Sequence, residues 1–382
     1  MKDPDISHIV VITGEPSGDI HAAGLVREIK RINPYLTLSG IGGENLEACG
    51  VDLFYHIRDL SAMGVTEVLF QIRKIRKAFS LYKRQVKRNK PDLVILVDYP
   101  GFNLKAAEYA KKHSIRVLYY ISPKIWAWKR GRIKKIKECV DHTSLILPFE
   151  EKIYRKASVP ATFVGHPLLD TSPPVNCLKK EGEKKAGKTV IGLLPGSRSS
   201  EIAQHLELML KAAGSIRENH PGTTFLLSCA SCVDFEEMSR IVEKYNREGL
   251  FRIVQGPPET IFQQSDLLIA ASGTVTLEAA IFAVPMIIVY RMSRLSYAIA
   301  RRFVKVQYAG LANIIAGREI VPELLQEDAR VDTIVDKVLY LMEEDRLSRM
   351  RQELLTIRGM LGGKGASRRT ANIALKMAAG KL

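Results

Sequence analysis

The chain has 382 residues, 46% of them hydrophobic and 26% charged, which excludes a disordered protein and leaves room for two domains of ordinary size. Its net charge of +16 points to anionic partners: nucleic acid, a membrane surface or phosphorylated substrates. Five cysteines, with one CxxC (Cys229 and Cys232) and no second ligand pair, exclude a disulfide framework and a zinc finger and read as reduced thiols.

The first residues, MKDPDISHIVVI, lack the cationic start and long apolar core of a secretory signal. No charge-free stretch approaches the roughly 20 apolar residues of a spanning helix. A cytosolic protein is the expectation. HIVVIT then predicts a first strand, and GEPSGDIHAAGLVREIKRI a helix entered through a polar turn. That turn is not GxGxxG, so no dinucleotide fingerprint is present. Glu15, Ser17 and Asp19 stud it, and Ser17 or Asp19 is suited to cap the helix. LTLSGIGG predicts the second strand.

The segment from Val65 to Val86 places Val65, Val68, Leu69, Ile72, Ile75, Phe79, Tyr82 and Val86 at three-to-four spacing. Its other face is basic: Gln71 to Lys90 holds nine Lys/Arg and no acid, Arg73, Lys74, Arg76 and Lys77 among them. The pattern fits a helix lying on an anionic membrane surface, and equally a surface helix of a basic protein. DLVILVDYPGFN follows. Leu93 to Val97 read as a buried strand, and Asp98 stands at its carboxyl end. Ligands of open α/β sheets bind there. The alternative for Asp98 is a helix cap, a role that Asn103 fills better, being closer to the expected helix. NLKAAEYAKKHS and RVLYYIS predict a further helix and strand. Lys124 to Lys137 carries seven more basic residues.

The alternation predicts βαβ units around a parallel sheet, with strands apolar throughout because both sheet faces are covered. It breaks at DTSPPVNCLKKEGEKKAGK, a Pro- and Lys-rich connection. Then it restarts with TVIGLLPG, a long helix from Ser199, TTFLLSCA, FRIVQG, DLLIAAS and PMIIVYR. Two doubly wound α/β domains facing a cleft are expected: 1–170, a linker at 171–187, and 188–365. A final helix, 366–382, either returns to the first domain or packs on another subunit.

LLPGSRSSEI offers a helix start capped by Ser197 or Ser199 with Arg198 projecting, which suits a phosphate or is an ordinary turn. In AASGTVTLEAA, the Ser272-Gly273-Thr274 turn opens a helix whose N–H groups can hold a diphosphate without a metal. Glu278, one turn on, suits a grip on ribose hydroxyls or is a solvated glutamate. The histidines form no HxH or HxxxH pair, and the only DxD, Asp3 to Asp5, precedes the first strand, so no metal is expected. Residues 290–305 add five more basic residues.

The runs GEPSGDIHAAGL, GIGGENLEACGVD, LSAMGVTEVL, VDYPGFNLKAA, YYISPKIWAWKRGRIKKI, LPFEEKIY, TFVGHPLLD, LLPGSRSSEI, ASGTVTLEAA and LANIIAGREIVPELLQ, in this order, resemble the lipid-A-disaccharide synthase family. Its members are inverting glycosyltransferases of GT-B architecture. The resemblance implies a UDP-2,3-diacylglucosamine donor, a 2,3-diacylglucosamine 1-phosphate acceptor, no cofactor and no metal. It implies peripheral association with the anionic inner-membrane surface. It puts Asp98 at the general base, and Glu15, Ser17 and Asp19 on the acceptor side. Ser197, Arg198, Ser272, Gly273, Thr274, Glu278 and Asn313 fall at the donor site. Lys124, Tyr99 and Gly101 depart from some relatives around the acceptor. The rival readings are the glycosyltransferase that adds N-acetylglucosamine to a peptidoglycan lipid carrier, a UDP-sugar epimerase, and a basic nucleic-acid-binding protein. SPKIWAW and VDYPGFN argue against the first. The absence of a recognised nucleic-acid module argues against the last.

Overall fold

A computed structural model describes residues 6–59, 68–128, 131–175, 189–231, 233–246, 249–293, 297, 306–343 and 345–382. Val65, Cys232, residues 176–187 of the expected linker, Lys129, Arg130 and most of the basic run at 290–305 lie outside them. The chain divides into two units, Met1–Asp170 with Leu361–Leu382, and Thr171–Met360.

The first unit runs β1 (His8–Ile12), α1 (Pro16–Ile32), β2 (Thr37–Gly42), α2 (Glu44–Ala48), β3 (Asp52–His56), α3 (Val68–Asn89), β4 (Leu93–Val97), α4 (Pro100–Lys112), β5 (Arg116–Tyr120), α5 (Arg132–Cys139), β6 (His142–Leu145), α6 (Glu150–Lys156) and β7 (Ala161–Phe163), with a single turn, α7 (Leu168–Thr171), at its edge. All strands pair in parallel, in the order β3-β2-β1-β4-β5-β6-β7. Both faces of this sheet are covered. Val10, Ile12, Val94 and Leu96 pack with α3 and α4 on one side, and Ile9, Val11, Leu93, Ile95 and Val97 pack with α1 on the other. That two-sided burial is why the strands carry no polar alternation.

The second unit comprises β8 (Thr189–Leu194), α8 (Ser199–Asn219), β9 (Thr223–Cys229), α9 (Phe235–Glu243), β10 (Phe251–Gln255), α10 (Glu259–Gln264), β11 (Leu267–Ala271), α11 (Thr274–Ile281), β12 (Met286–Tyr290), α12 (Leu311–Ala316), β13 (Glu323–Leu325), α13 (Val331–Met342) and α14 (Arg346–Met360). Its sheet order, β10-β9-β8-β11-β12-β13, repeats the winding of the first. In both sheets the strand order reverses between the first and fourth strands. The crevice beyond their carboxyl ends is where such folds take ligands.

The last helix, α15 (Ala366–Ala378), packs on α1 in the first unit. Asp170 fixes its start, since its carboxylate accepts the N–H groups of Gly365 (2.6 Å), Ala366 (3.1 Å) and Ser367 (2.9 Å). Residues 361–365, counted with the second domain from sequence, belong with the first unit, where the Leu361 carbonyl accepts the His166 N–H.

The apolar stripe of α3 turns inward rather than toward a membrane over its second half. Ala78, Tyr82 and Val86 are buried, Ile75 and Phe79 are half-buried against the same core, and Ile72 is 41% exposed. Arg73, Arg76 and Lys77 are exposed and Lys74 is half-buried. Among the described residues no helix is long and apolar enough to cross a membrane.

Candidate active site

β4 ends at Val97, and Asp98 and Tyr99 both take the left-handed conformation, with φ of 47° and 44°. Neither residue is glycine, and each such position costs on the order of 1–3 kcal/mol and persists only where its surroundings over-determine it. Here they do. Asn103 donates from Nδ2 to the carbonyls of Val97 (3.1 Å) and Asp98 (2.7 Å), and the Tyr119 hydroxyl donates to the Asp98 carbonyl (2.6 Å). The Asp98 N–H donates to Tyr120 of the neighbouring strand. Asn103 is therefore not the helix cap expected from sequence. The helix already starts at Pro100, and the asparagine reaches back to pin the turn. At the end of β5, Ile121 is also left-handed, with φ of 59°, a true outlier for a β-branched residue. Strained residues thus gather at the carboxyl ends of adjacent strands.

The turn after β1 lies beside this one. A Cβ on Gly14 would sit 2.2 Å from the Tyr99 ring, so only glycine lets the ring pack there. Glu15 and Ser17 are exposed in that turn. Burial raises the Asp98 pKa, and the negative charge of Glu15 raises it further. The Lys124 ammonium and the Tyr99 N–H pull it back. A carboxylate held this way is more basic than an ordinary aspartate.

Asp19 does not join them. It is 1% exposed, and its carboxylate accepts the N–H groups of Gly43 (2.7 Å) and Asn45 (2.9 Å) and the Asn45 side chain (3.0 Å). It caps α2 and is buried, unlike Glu15 and Ser17.

Lys124, noted from sequence, has companions that were not: Trp126, Glu150, His21 and His166. Lys124 itself is exposed in the SPKIWAW turn, and its charge acts on Asp98, Glu150 and His166 alike. That turn is anchored by Trp126, whose Nε1 donates to buried Glu150 (3.0 Å). Burial raises the Glu150 pKa to about 7, against the bonds from Trp126 and the backbone. His166 faces His21 with ring centroids 6.4 Å apart, and burial lowers its pKa to about 3, so it is neutral near pH 7. No motif spacing links these residues, because they come from different strand ends.

In the second unit a cavity of about 350 Å³ lies at the switch point. Ser197, Arg198, Ser272, Gly273, Thr274 and Glu278 line it, together with Glu201 and Tyr290. The turn after β8 is not capped by Ser197 or Ser199. Arg198 is the N-cap, and Glu201 folds back so that its Oε2 accepts the N–H groups of Ser197 (3.1 Å) and Arg198 (3.3 Å). Its other oxygen holds the Arg198 guanidinium at 3.3 Å. Gly196 permits this, with φ of 117° and no room for a Cβ beside Glu201. Across the cavity, α11 starts at Thr274 and presents its first turn, where N–H groups have no intrahelical acceptor. Glu278 is half-buried, and burial raises its pKa to about 7, with the Glu259 charge adding to the effect.

Asn313 does not line this cavity. It is fully buried; its Nδ2 donates to the Val321 carbonyl (2.8 Å) and to Glu323 (2.7 Å), and its Oδ1 accepts from Ile320 and Val321. Glu323 in turn accepts the N–H groups of Ala309 and Gly310, and the Ala309 carbonyl accepts the Ser272 hydroxyl at 3.4 Å. Asn313 is thus a scaffold residue one step behind the cavity wall. Among the described residues, no group of three or more His, Cys, Asp or Glu side chains is placed to hold a metal ion.

Two parallel-sheet domains, each with a polar site at its switch point, define the two-Rossmann-domain architecture that GT-B glycosyltransferases use. Solved structures with this fold include a UDP-N-acetylglucosamine 2-epimerase homologue from Listeria monocytogenes (TM-score 0.65, 11% identity, 99% of this chain and 98% of that one). Another is the Neisseria meningitidis UDP-GlcNAc 2-epimerase bound to UDP-GlcNAc (TM-score 0.61, 13% identity, 97% and 100%). At such identities they show the fold alone. The sequence as a whole goes further: the lipid-A-disaccharide synthetase family model matches residues 9–377, and the chain belongs to that family. A lipid-A-disaccharide synthase of Geobacter sulfurreducens is 39% identical over 382 residues, covering 99% of each chain. One from Syntrophus aciditrophicus is 41% identical over 374 residues, covering 97% of each. The protein is an enzyme of the disaccharide-forming glycosyltransferase class, and neither the nucleic-acid reading nor the rival enzymes are favoured.

Proposed function

We propose that this chain joins UDP-2,3-diacylglucosamine to 2,3-diacylglucosamine 1-phosphate, giving the β-1,6-linked disaccharide 1-phosphate and UDP. The observation that carries the reading is Asp98, a basic carboxylate held in a strained turn at a strand end. As the acceptor 6-hydroxyl attacks the donor anomeric carbon, Asp98 takes its proton. The bond from that carbon to the diphosphate oxygen breaks, and its electron pair leaves with UDP. Attack from the face opposite the leaving group inverts the configuration. Glu15 and Ser17, in the adjoining turn, are candidates to hold the acceptor sugar.

Departure needs the diphosphate charge to be met. Arg198 and the first turn of α11, with Ser272, Gly273 and Thr274, are suited to this. Glu201 occupies the Arg198 guanidinium and two turn N–H groups, so an incoming phosphate takes over that arginine in competition with a carboxylate. Glu278 accepts the ribose hydroxyls in its ionised form.

Both substrates carry acyl chains, so the enzyme works at a membrane surface. Arg73, Lys74, Arg76 and Lys77 on α3 supply the attraction to anionic lipid, at about 1 kcal/mol per charge close to the surface. Mass spectrometry of the product made from both acylated sugars, with NMR of the new linkage, tests the reading. A disaccharide 1-phosphate with a β-1,6 bond supports it. UDP-sugar consumption without a disaccharide overturns it.

A further inference from the structure

The first unit contains a second cavity, of about 580 Å³, that the reaction described above does not use. It lies between α3 and α4. Ile75 and Phe79 line it from α3, and Tyr99 and Phe102 from the turn and first residues of α4. The aromatic wall is built as a unit. Phe79 meets Phe102 edge to face at 5.5 Å, and Tyr99 stacks on Phe102 at 6.2 Å. Three cations, Arg76, Lys83 and Lys105, also line the cavity, and no lining residue is acidic. The Lys83 ammonium lies 5.1 Å from the Phe79 ring centre, a cation–π contact.

An apolar trough edged by cations alone fits an amphiphile with a chain and an anionic group. Its location narrows the occupant. Tyr99, one wall of the trough, directly follows Asp98, so the trough adjoins the turn that carries the carboxylate. We propose that the α3–α4 trough is the subsite for one acyl chain of the acceptor, with the acceptor's phosphate drawn to the Arg76, Lys83 and Lys105 edge. This rests on the acylated, phosphorylated acceptor of the proposed function. It assigns to α3 a substrate-binding role distinct from contact with bulk membrane lipid.

Gly101 offers a clean probe. It lines the trough, a Cβ there would meet nothing within 4 Å, and its backbone is outside the left-handed region, so Gly101→Leu fills space without strain. Ser80→Phe narrows the opposite wall. Each buried methylene is worth about a fourfold change in affinity. An acceptor chain that fits the trough therefore gives a kcat/KM rising with chain length in detergent micelles. Either variant should cut the ratio of long-chain to short-chain kcat/KM by about tenfold or more. A chain-length profile identical in the wild type and both variants overturns the subsite.

A second measurement needs no turnover. An acceptor analogue with a photoreactive diazirine at the end of one acyl chain is irradiated with the protein and the adduct is mapped. Adducts on residues 75–83 and 99–105, reduced in Gly101→Leu, support the subsite even if no disaccharide forms, an outcome that would reject the reaction instead. Disaccharide formation with adducts elsewhere, or loss of vesicle binding in Gly101→Leu with an unchanged adduct map, rejects the subsite and leaves the reaction standing.

Discussion

Asp98 and Tyr99 are held in an unfavourable backbone conformation by one asparagine amide and one tyrosine hydroxyl. Asn103→Ala removes two of these bonds and leaves the Asp98 carbonyl to the Tyr119 hydroxyl alone, at about 1–3 kcal/mol. It should lower the melting temperature and, because misplacing a base by an ångström is costly, reduce kcat by about 10- to 100-fold. Thermal unfolding and steady-state kinetics, run together, check both. A lower melting temperature with unchanged kcat would make the pin merely structural. Glu278 makes a different prediction. Its folded pKa, about 7, lies above the ordinary glutamate value, so its contribution to stability declines as pH rises from the ordinary value through about 7. Glu278→Gln should therefore be more heat-stable than wild type at pH 8 and lose the advantage at pH 4. If the ionised form grips ribose, wild-type affinity for UDP should fall as pH drops below 7, while Glu278→Gln binds weakly at every pH. Calorimetry across pH reads this directly. At this scale the sequence showed which polar residues follow apolar strands: Asp98 at the end of β4, Arg198 in the turn after β8, and Glu278 within the helix after β11. It did not show their partners. Asp19 and Asn313 also matched ligand positions by resemblance, yet Gly43 and Asn45 engage the first, and Ile320, Val321 and Glu323 engage the second.

The element that most needs testing is α3. Its three-to-four apolar spacing made the helix legible, but spacing alone does not say which stripe meets the core. Burial of Ala78, Tyr82 and Val86 assigns the second half to the interior and leaves the basic face outward. Membrane attraction should then be electrostatic. Reversing Arg73, Lys74, Arg76 and Lys77 to glutamate should release the protein from anionic vesicles at low salt, and added salt should release wild type in the same way. Vesicle sedimentation measures it, and unchanged binding after reversal would remove α3 from the contact. The α15 helix was less legible. A C-terminal helix was evident, but its docking on α1 depends on Asp170, whose acceptor role becomes visible only once the strands bring residues 170 and 365 together.

Over the whole molecule, two sheets of like winding put Asp98 and the cavity lined by Arg198 and Glu278 on separate units. That architecture followed from alternating apolar runs and helices because parallel βαβ units permit few topologies. The separation of the sites gives the most direct test of the account. Asp98→Asn keeps the side-chain shape and removes only the carboxylate. Turnover, with both substrates varied, should fall about 10²- to 10⁴-fold. The affinity for UDP, bound in the other unit, should stay within about threefold. The acid limb of the wild-type pH profile, set by an Asp98 pKa raised above the ordinary aspartate range, should vanish in the variant. Near-normal turnover of Asp98→Asn at saturating acceptor would contradict the account, because the strained carboxylate at the end of β4 would not then be the base.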